Sequence, residues 1–125
     1  MDSSEREDLI EMFRPCNQAE LDLVAESGYT AWPPRLPEQP IFYPVTNLQY
    51  AREINEWNIT QFGHGFVTRF CVRKAFSDRY SVQTVGRSDQ TEWWIPAEDL
   101  DELNRNIVGK IEVVEEFPVK IEPPK

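Results

Sequence analysis

Phe66-Val67-Thr68-Arg69-Phe70-Cys71-Val72-Arg73 is the stretch on which the fold turns. Phe66, Thr68, Phe70 and Val72 alternate with Val67, Arg69, Cys71 and Arg73. A period of two with β-branched and aromatic residues predicts a strand with one apolar face and one partly charged face. Before it, Asn58–Gly65 reads as a loop punctuated by Gly63-His64-Gly65, with His64 an ordinary loop histidine. Further back, Asn47 is placed to cap a helix whose Tyr50, Ala51, Ile54 and Trp57 recur at helical spacing. Ile41–Val45 is apolar and reads as a strand that Pro44 confines to an edge or an end. Between Trp32 and Pro40, four prolines impose an extended, polyproline-like run from which Arg35 and Glu38 project. Asn17-Gln18-Ala19-Glu20 has the capping-box pattern, opening a helix with Leu21, Val24 and Ala25 on its apolar face and Gly28 at its end. Leu9–Arg14 reads as the first strand.

On the C-terminal side, Tyr80–Val85 and Thr91–Ile95 read as strands joined through a turn at Gly86–Asp89. Pro96 opens a helix over Ala97–Asn104, and Val108–Phe117 is the last strand, with a turn at Gly109. This order predicts a single α+β domain over residues 9–117, with a split antiparallel or mixed sheet and about three helices. The acidic residues 1–8 and the proline-rich residues 118–125 read as frayed ends.

Composition narrows the function classes. At 125 residues and 40% hydrophobic, the chain is the size of one domain and has enough apolar side chains for a core. No apolar run is long enough to span a membrane, and the acidic start is unlike a signal peptide, so the expected location is the cytoplasm. Cys16, Cys71 and the single His64 offer no metal-ligand spacing, and in a reducing compartment the two cysteines are expected as free thiols. The net charge of −9 is uneven. Residues 1–26 hold eight acids against two bases, residues 27–91 five against seven, and residues 92–125 nine against four. Bulk nucleic-acid binding is disfavoured by this balance, whereas a small anionic ligand in the middle segment is compatible with it.

Three places hold residues suited to chemistry. Arg14, at the end of the first strand, offers a fork that matches two phosphate oxygens, or else a surface ion pair. Tyr43, Thr46 and Asn47 stand where a strand end meets a helix N-terminus, a setting that lines small-molecule clefts and attracts anions; the alternative is core packing by Phe42 and Tyr43 and helix capping by Asn47. Gln90 and Glu92 lie on one face of a strand, where a carboxylate could stabilise a cationic sugar, or could simply be solvated beside a turn. Trp93 and Trp94 must point to opposite faces, one into the core and one towards a groove.

These residues belong to a wider resemblance. Phe13-Arg14-Pro15, Ala19-Glu20-Leu21, Ser27-Gly28-Tyr29, Pro33-Pro34-Arg35-Leu36-Pro37, Phe42-Tyr43-Pro44-Val45, Gln49-Tyr50-Ala51, Phe66-Val67-Thr68-Arg69-Phe70, Trp94-Ile95-Pro96-Ala97-Glu98 and Asn104-Arg105-Asn106-Ile107-Val108-Gly109 mark it. Over residues 12–117 the chain resembles a small family often labelled ADP-ribosylation/crystallin J1. That label belongs properly to ADP-ribosyl-glycohydrolases, which are large, all-helical and use paired metal ions, unlike this short, strand-rich chain. The layout is instead similar to ADP-ribosyltransferase-like folds. The resemblance implies an NAD substrate, with Arg14 on the pyrophosphate, Tyr43 and Thr46 at the nicotinamide site, and Glu92 with Gln90 stabilising the oxocarbenium-like sugar. Asn47 and Arg35 are further candidate cofactor contacts. A non-catalytic member of the same fold, binding a nucleotide or a basic protein partner in an immunity- or antitoxin-like role, is the alternative.

Overall fold

The computed structural model describes residues 8–118. β1 (Leu9–Cys16), β3 (Gly65–Arg73) and β7 (Ile107–Phe117) form an antiparallel sheet with β3 at its centre. The alternating stretch is thus the middle strand. β1 runs two residues beyond the expected Arg14, through Pro15. Phe13 sends both its N–H and its C=O to Val45, so the nitrogen of Pro15, two residues on, points away from β3 and removes no ladder bond.

Val45 also bridges Glu92 in β5 (Thr91–Trp93), which pairs with β4 (Val82–Thr84). One residue therefore joins the three-stranded sheet to the β4–β5 ribbon. The expected Ile41–Val45 strand is only β2 (Ile41–Phe42), paired with β6 (Ile95–Pro96). The run Thr91–Ile95 is likewise split at Trp94: Trp93 pairs with Val82 while Ile95 pairs with Phe42. Among the described residues every ladder is antiparallel, so of the two sheet types expected it is the antiparallel one that they form.

Among the described residues there are four α-helices, one more than expected: α1 (Gln18–Glu26), α2 (Leu48–Phe62), α3 (Lys74–Ser77) and α4 (Leu100–Arg105). The Asn58–Gly65 loop is overturned, because α2 continues to Phe62. Nothing between Asn58 and Phe62 breaks a helix; the stop is Gly63, at φ +76°, whose N–H donates to the Ile59 carbonyl at 2.8 Å. The helix expected over Ala97–Asn104 is a 3-10 turn, Ala97–Asp99, followed by α4. Gly109 lies inside β7 at φ +83°, where the register against β3 jumps between Arg69 and Cys71, so it forms a bulge and not a turn ahead of the strand. The Tyr80–Val85 strand contracts to Val82–Thr84; Tyr80 instead closes the turn after α3 and donates its hydroxyl to Asp99.

Among the described residues the sheet separates the two larger of three buried clusters, the third being Cys16, Leu21 and Phe66. On one face Met12, Phe70 and Val72 pack with Trp32, Phe42, Ile95, Leu100 and Leu103. On the other, Phe13, Val45 and Val67 pack with Ala51 of α2. Trp57 is 66% exposed, since the helix buries the row through Ala51 and Asn55. Cys16 and Cys71 are free thiols at opposite ends of the β1–β3 ladder, opposite Phe66 and Glu11 respectively. No helix among the described residues is long and apolar enough to cross a membrane. The expectation for residues 1–7 and 119–125 lies outside the described residues.

Candidate functional site

Arg14, Pro15, Tyr43, Ile54, Asn58 and Glu92 line one cleft of about 280 Å³. It lies where the end of β1, the segment after β2, α2 and β5 meet. Three of the residues singled out in the sequence, Arg14, Tyr43 and Glu92, are brought together there from segments far apart in the chain.

Arg14 does not present a free fork. Its Nε and Nη2 donate to the two carboxylate oxygens of Glu20 at 2.6 and 3.0 Å, and its guanidinium lies 4.5 Å from the Phe42 ring centroid. Glu20 belongs to the capping-box pattern, but the box is only half made. Asn17 Oδ1 accepts from the Glu20 N–H at 2.9 Å, while the Glu20 carboxylate turns to Arg14. The ion pair explains the diversion, because an almost buried guanidinium needs a counter-charge more than a helix end needs a second cap.

Glu92 is 9% exposed and accepts two hydrogen bonds, from Tyr50 Oη at 3.2 Å and from Trp94 Nε1 at 2.8 Å. Both donors are neutral, and among the described residues no lysine or arginine is ion-paired with it. Burial, then the charge of Glu92, pushes the Tyr50 hydroxyl up to about 12, so Tyr50 keeps its proton and remains a donor. Tyr43 and Trp94, 42% and 45% exposed, meet edge to face at 6.4 Å. Of the two tryptophans, Trp93 is buried and Trp94 is the half-exposed one that touches the cleft residues Glu92 and Tyr43, as alternation requires.

The other candidates are occupied elsewhere. Gln90 accepts from the Arg87 N–H at 2.8 Å and donates to Glu53 at 3.0 Å, closing the β4–β5 turn away from the cleft lining. Thr46 hydrogen-bonds Thr91 across the seam between the segment after β2 and β5. Asn47 caps α2 by accepting the Tyr50 N–H at 2.7 Å and donates to the Asp89 carbonyl at 2.8 Å. Arg35 lies in a neighbouring groove with Glu20, Pro34, Leu36 and Phe42. One of its Nη groups donates to the Ile41 carbonyl, its buried Nε has no partner, and burial together with the charge of Arg14 lowers its pKa. His64 accepts the Gln18 N–H at 3.0 Å, helping to hold the start of α1.

Tyr50 and Glu20 were the site residues that sequence reasoning assigned other work: Tyr50 was read as helix core and Glu20 as a cap. No group of three or more His, Cys, Asp or Glu that could hold a metal occurs among the described residues. Comparisons with protein-family models, with curated proteins and with solved structures each found no match.

Proposed function

We propose that this cleft binds NAD or a related nucleotide and that the protein is ADP-ribosyltransferase-like. The reading is carried by one observation: Arg14, Tyr43 and Glu92, distant in sequence, line the same cleft. In this reading Arg14 contacts the pyrophosphate and the exposed Tyr43 ring lies beside the nicotinamide. The C1′–N bond of NAD breaks and nicotinamide leaves as a neutral base with the bonding pair. Glu92 stabilises the oxocarbenium-like sugar, and the acceptor attacks C1′ and gives up its proton.

A second reading, a non-catalytic nucleotide- or partner-binding module of the same fold, is favoured by the satisfied state of the cleft. Both oxygens of Glu20 hold Arg14, and Glu92 already accepts two hydrogen bonds. The acidic end segments, residues 1–26 and 92–125, would suit a basic partner on this reading.

The deciding experiment is an NMR titration of isotope-labelled protein with NAD. Amide shifts at Arg14, Tyr43, Ile54, Asn58 and Glu92, with the Trp94 indole, are expected. The absence of shifts at millimolar NAD would overturn nucleotide binding. Where binding is seen, Glu92→Gln separates the two readings. It should abolish turnover without unfolding the chain, because an amide oxygen still accepts from Trp94. Turnover that survives removes the role given to Glu92.

A further inference from the structure

The proline-rich segment before β2 and the helix α1 enclose a groove of about 220 Å³ that shares no lining residue with the cleft. Its chemistry begins with Arg35. The side chain is half-buried, and a guanidinium brings five N–H donors to its surroundings. One Nη donates to the Ile41 carbonyl at 3.2 Å, the buried Nε has no partner, and among the described residues Arg35 makes no ion pair. Burial, then the like charge of Arg14, works against its positive charge, and the pull of Glu20 is weaker than either. Both Glu20 oxygens are already held by Arg14. Arg14, Glu20 and Arg35 together therefore carry one uncompensated positive charge, and a half-buried cation lowers its desolvation cost by taking an anion.

Two carboxamides add donors to the same groove. Asn17 Oδ1 accepts from the Glu20 N–H, and Gln39 Oε1 accepts from the Leu36 N–H at 3.3 Å. Those bonds fix the oxygens and leave both NH2 groups without a partner among the described residues. The remaining wall is apolar, with Leu23 and Leu36 48% and 55% exposed beside Phe42. Pro33 and Pro34 hold their backbone angles, and the Gln39 N–H closes the turn onto the Leu36 carbonyl at 2.8 Å, so little ordering is left for a ligand to impose. One positive charge suits a monoanion. A phosphate monoester, with about 1.5–2 negative charges, would exceed it and press against the Glu20 carboxylate.

We propose that this groove binds a small organic carboxylate, with its charge on Arg35, further hydrogen bonds from Asn17 and Gln39, and its apolar body against Leu23 and Leu36. The site does not depend on the nucleotide reading of the cleft.

The test is an NMR titration that follows the Arg35 Nε–H and the side-chain amides of Asn17 and Gln39. Three probes are compared: benzoate, the neutral benzamide of the same shape, and acetate, which keeps the charge without the apolar body. Benzoate should shift all three groups with a Kd of about 1–10 mM and bind about tenfold more tightly than either of the others. Arg35→Gln should bring benzoate and benzamide to equal affinity, with amide dispersion reporting that the variant is folded. Should that variant unfold through loss of the Ile41 bond, the comparison in the unaltered protein decides alone. Equal binding of benzoate and benzamide there, or no shift in tens of millimolar benzoate, overturns the inference. Acetate binding as tightly as benzoate removes the apolar wall and with it the ligand class. NAD is titrated in parallel, and shifts of the three groups with NAD but not with benzoate would return Arg35 to the nucleotide and overturn the separate groove.

Discussion

The Arg14–Glu20 pair is a structural element whose energy can be bracketed from its surroundings. The two side chains are 11% and 20% exposed, they meet through two hydrogen bonds, and the guanidinium lies over Phe42 with Arg35 nearby. Breaking a fully buried pair costs about 3–5 kcal/mol and an exposed one less than about 1 kcal/mol. A pair with this partial exposure falls between, at about 2–3 kcal/mol. Glu20→Gln should therefore destabilise the fold by about 2–3 kcal/mol, because it leaves Arg14 without its counter-charge and beside Arg35. For a chain of this length that is a fall in Tm of roughly 10 °C. Urea denaturation of four proteins closes the cycle: the parent, Glu20→Gln, Arg14→Met and the double variant. The double variant should cost about 2 kcal/mol less than the sum of the singles. A Glu20→Gln cost under about 0.5 kcal/mol with no coupling would place the pair among ordinary surface contacts and remove the reason offered for the half-made capping box.

Two further outcomes follow from the hydrogen bonds and the titrating groups. Asn47→Ala should cost about 1–2 kcal/mol in urea denaturation, from the lost cap and the lost bond to Asp89, while leaving NAD affinity within twofold; a large loss of affinity at intact stability would return Asn47 to the site. Burial raises Cys16, Tyr50 and Tyr80 to about 12 in the fold, the tyrosines helped by Glu92 and Asp99 and the thiol by Glu20. Their protonated forms are thus favoured in the native state. The resulting stability is whole below about pH 9, declines between the unfolded and folded pKa values, and is gone above about pH 12. Denaturation midpoints across that window should fall, and Tyr50→Phe should flatten the decline; a flat profile in the parent would refute it.

How much of this was legible beforehand depended on the range of each signal. The period of β3 was local and unmistakable, and so were the Asn17 and Asn47 caps, because each is written within a few residues. The end of α2 was misread because the Gly63-His64-Gly65 cluster drew the loop backwards over Asn58–Phe62. The helix needed only Gly63 itself to stop it. The Gly109 bulge and the break at Trp94 have no local signature, since both are set by strands elsewhere in the chain. In the site, Arg14, Tyr43 and Glu92 were named from residue type and position, and Trp94 from alternation. Thr46, Asn47 and Gln90 bear the side chains that caps and turns also use, and here the caps and turns claimed them. Glu20 and Tyr50 escaped because their partners lie across the fold.

Val45 has a consequence for scale. It pairs with Phe13 on one side and bridges Glu92 on the other, so the strand carrying Arg14 and the strand carrying Glu92 are held one intervening chain apart. Two strand spacings put those strands about 10 Å apart. That interval is a count of hydrogen-bonded chains, not a loop length, so side-chain motion leaves it unchanged. The cleft carries its own ruler, graduated in strands.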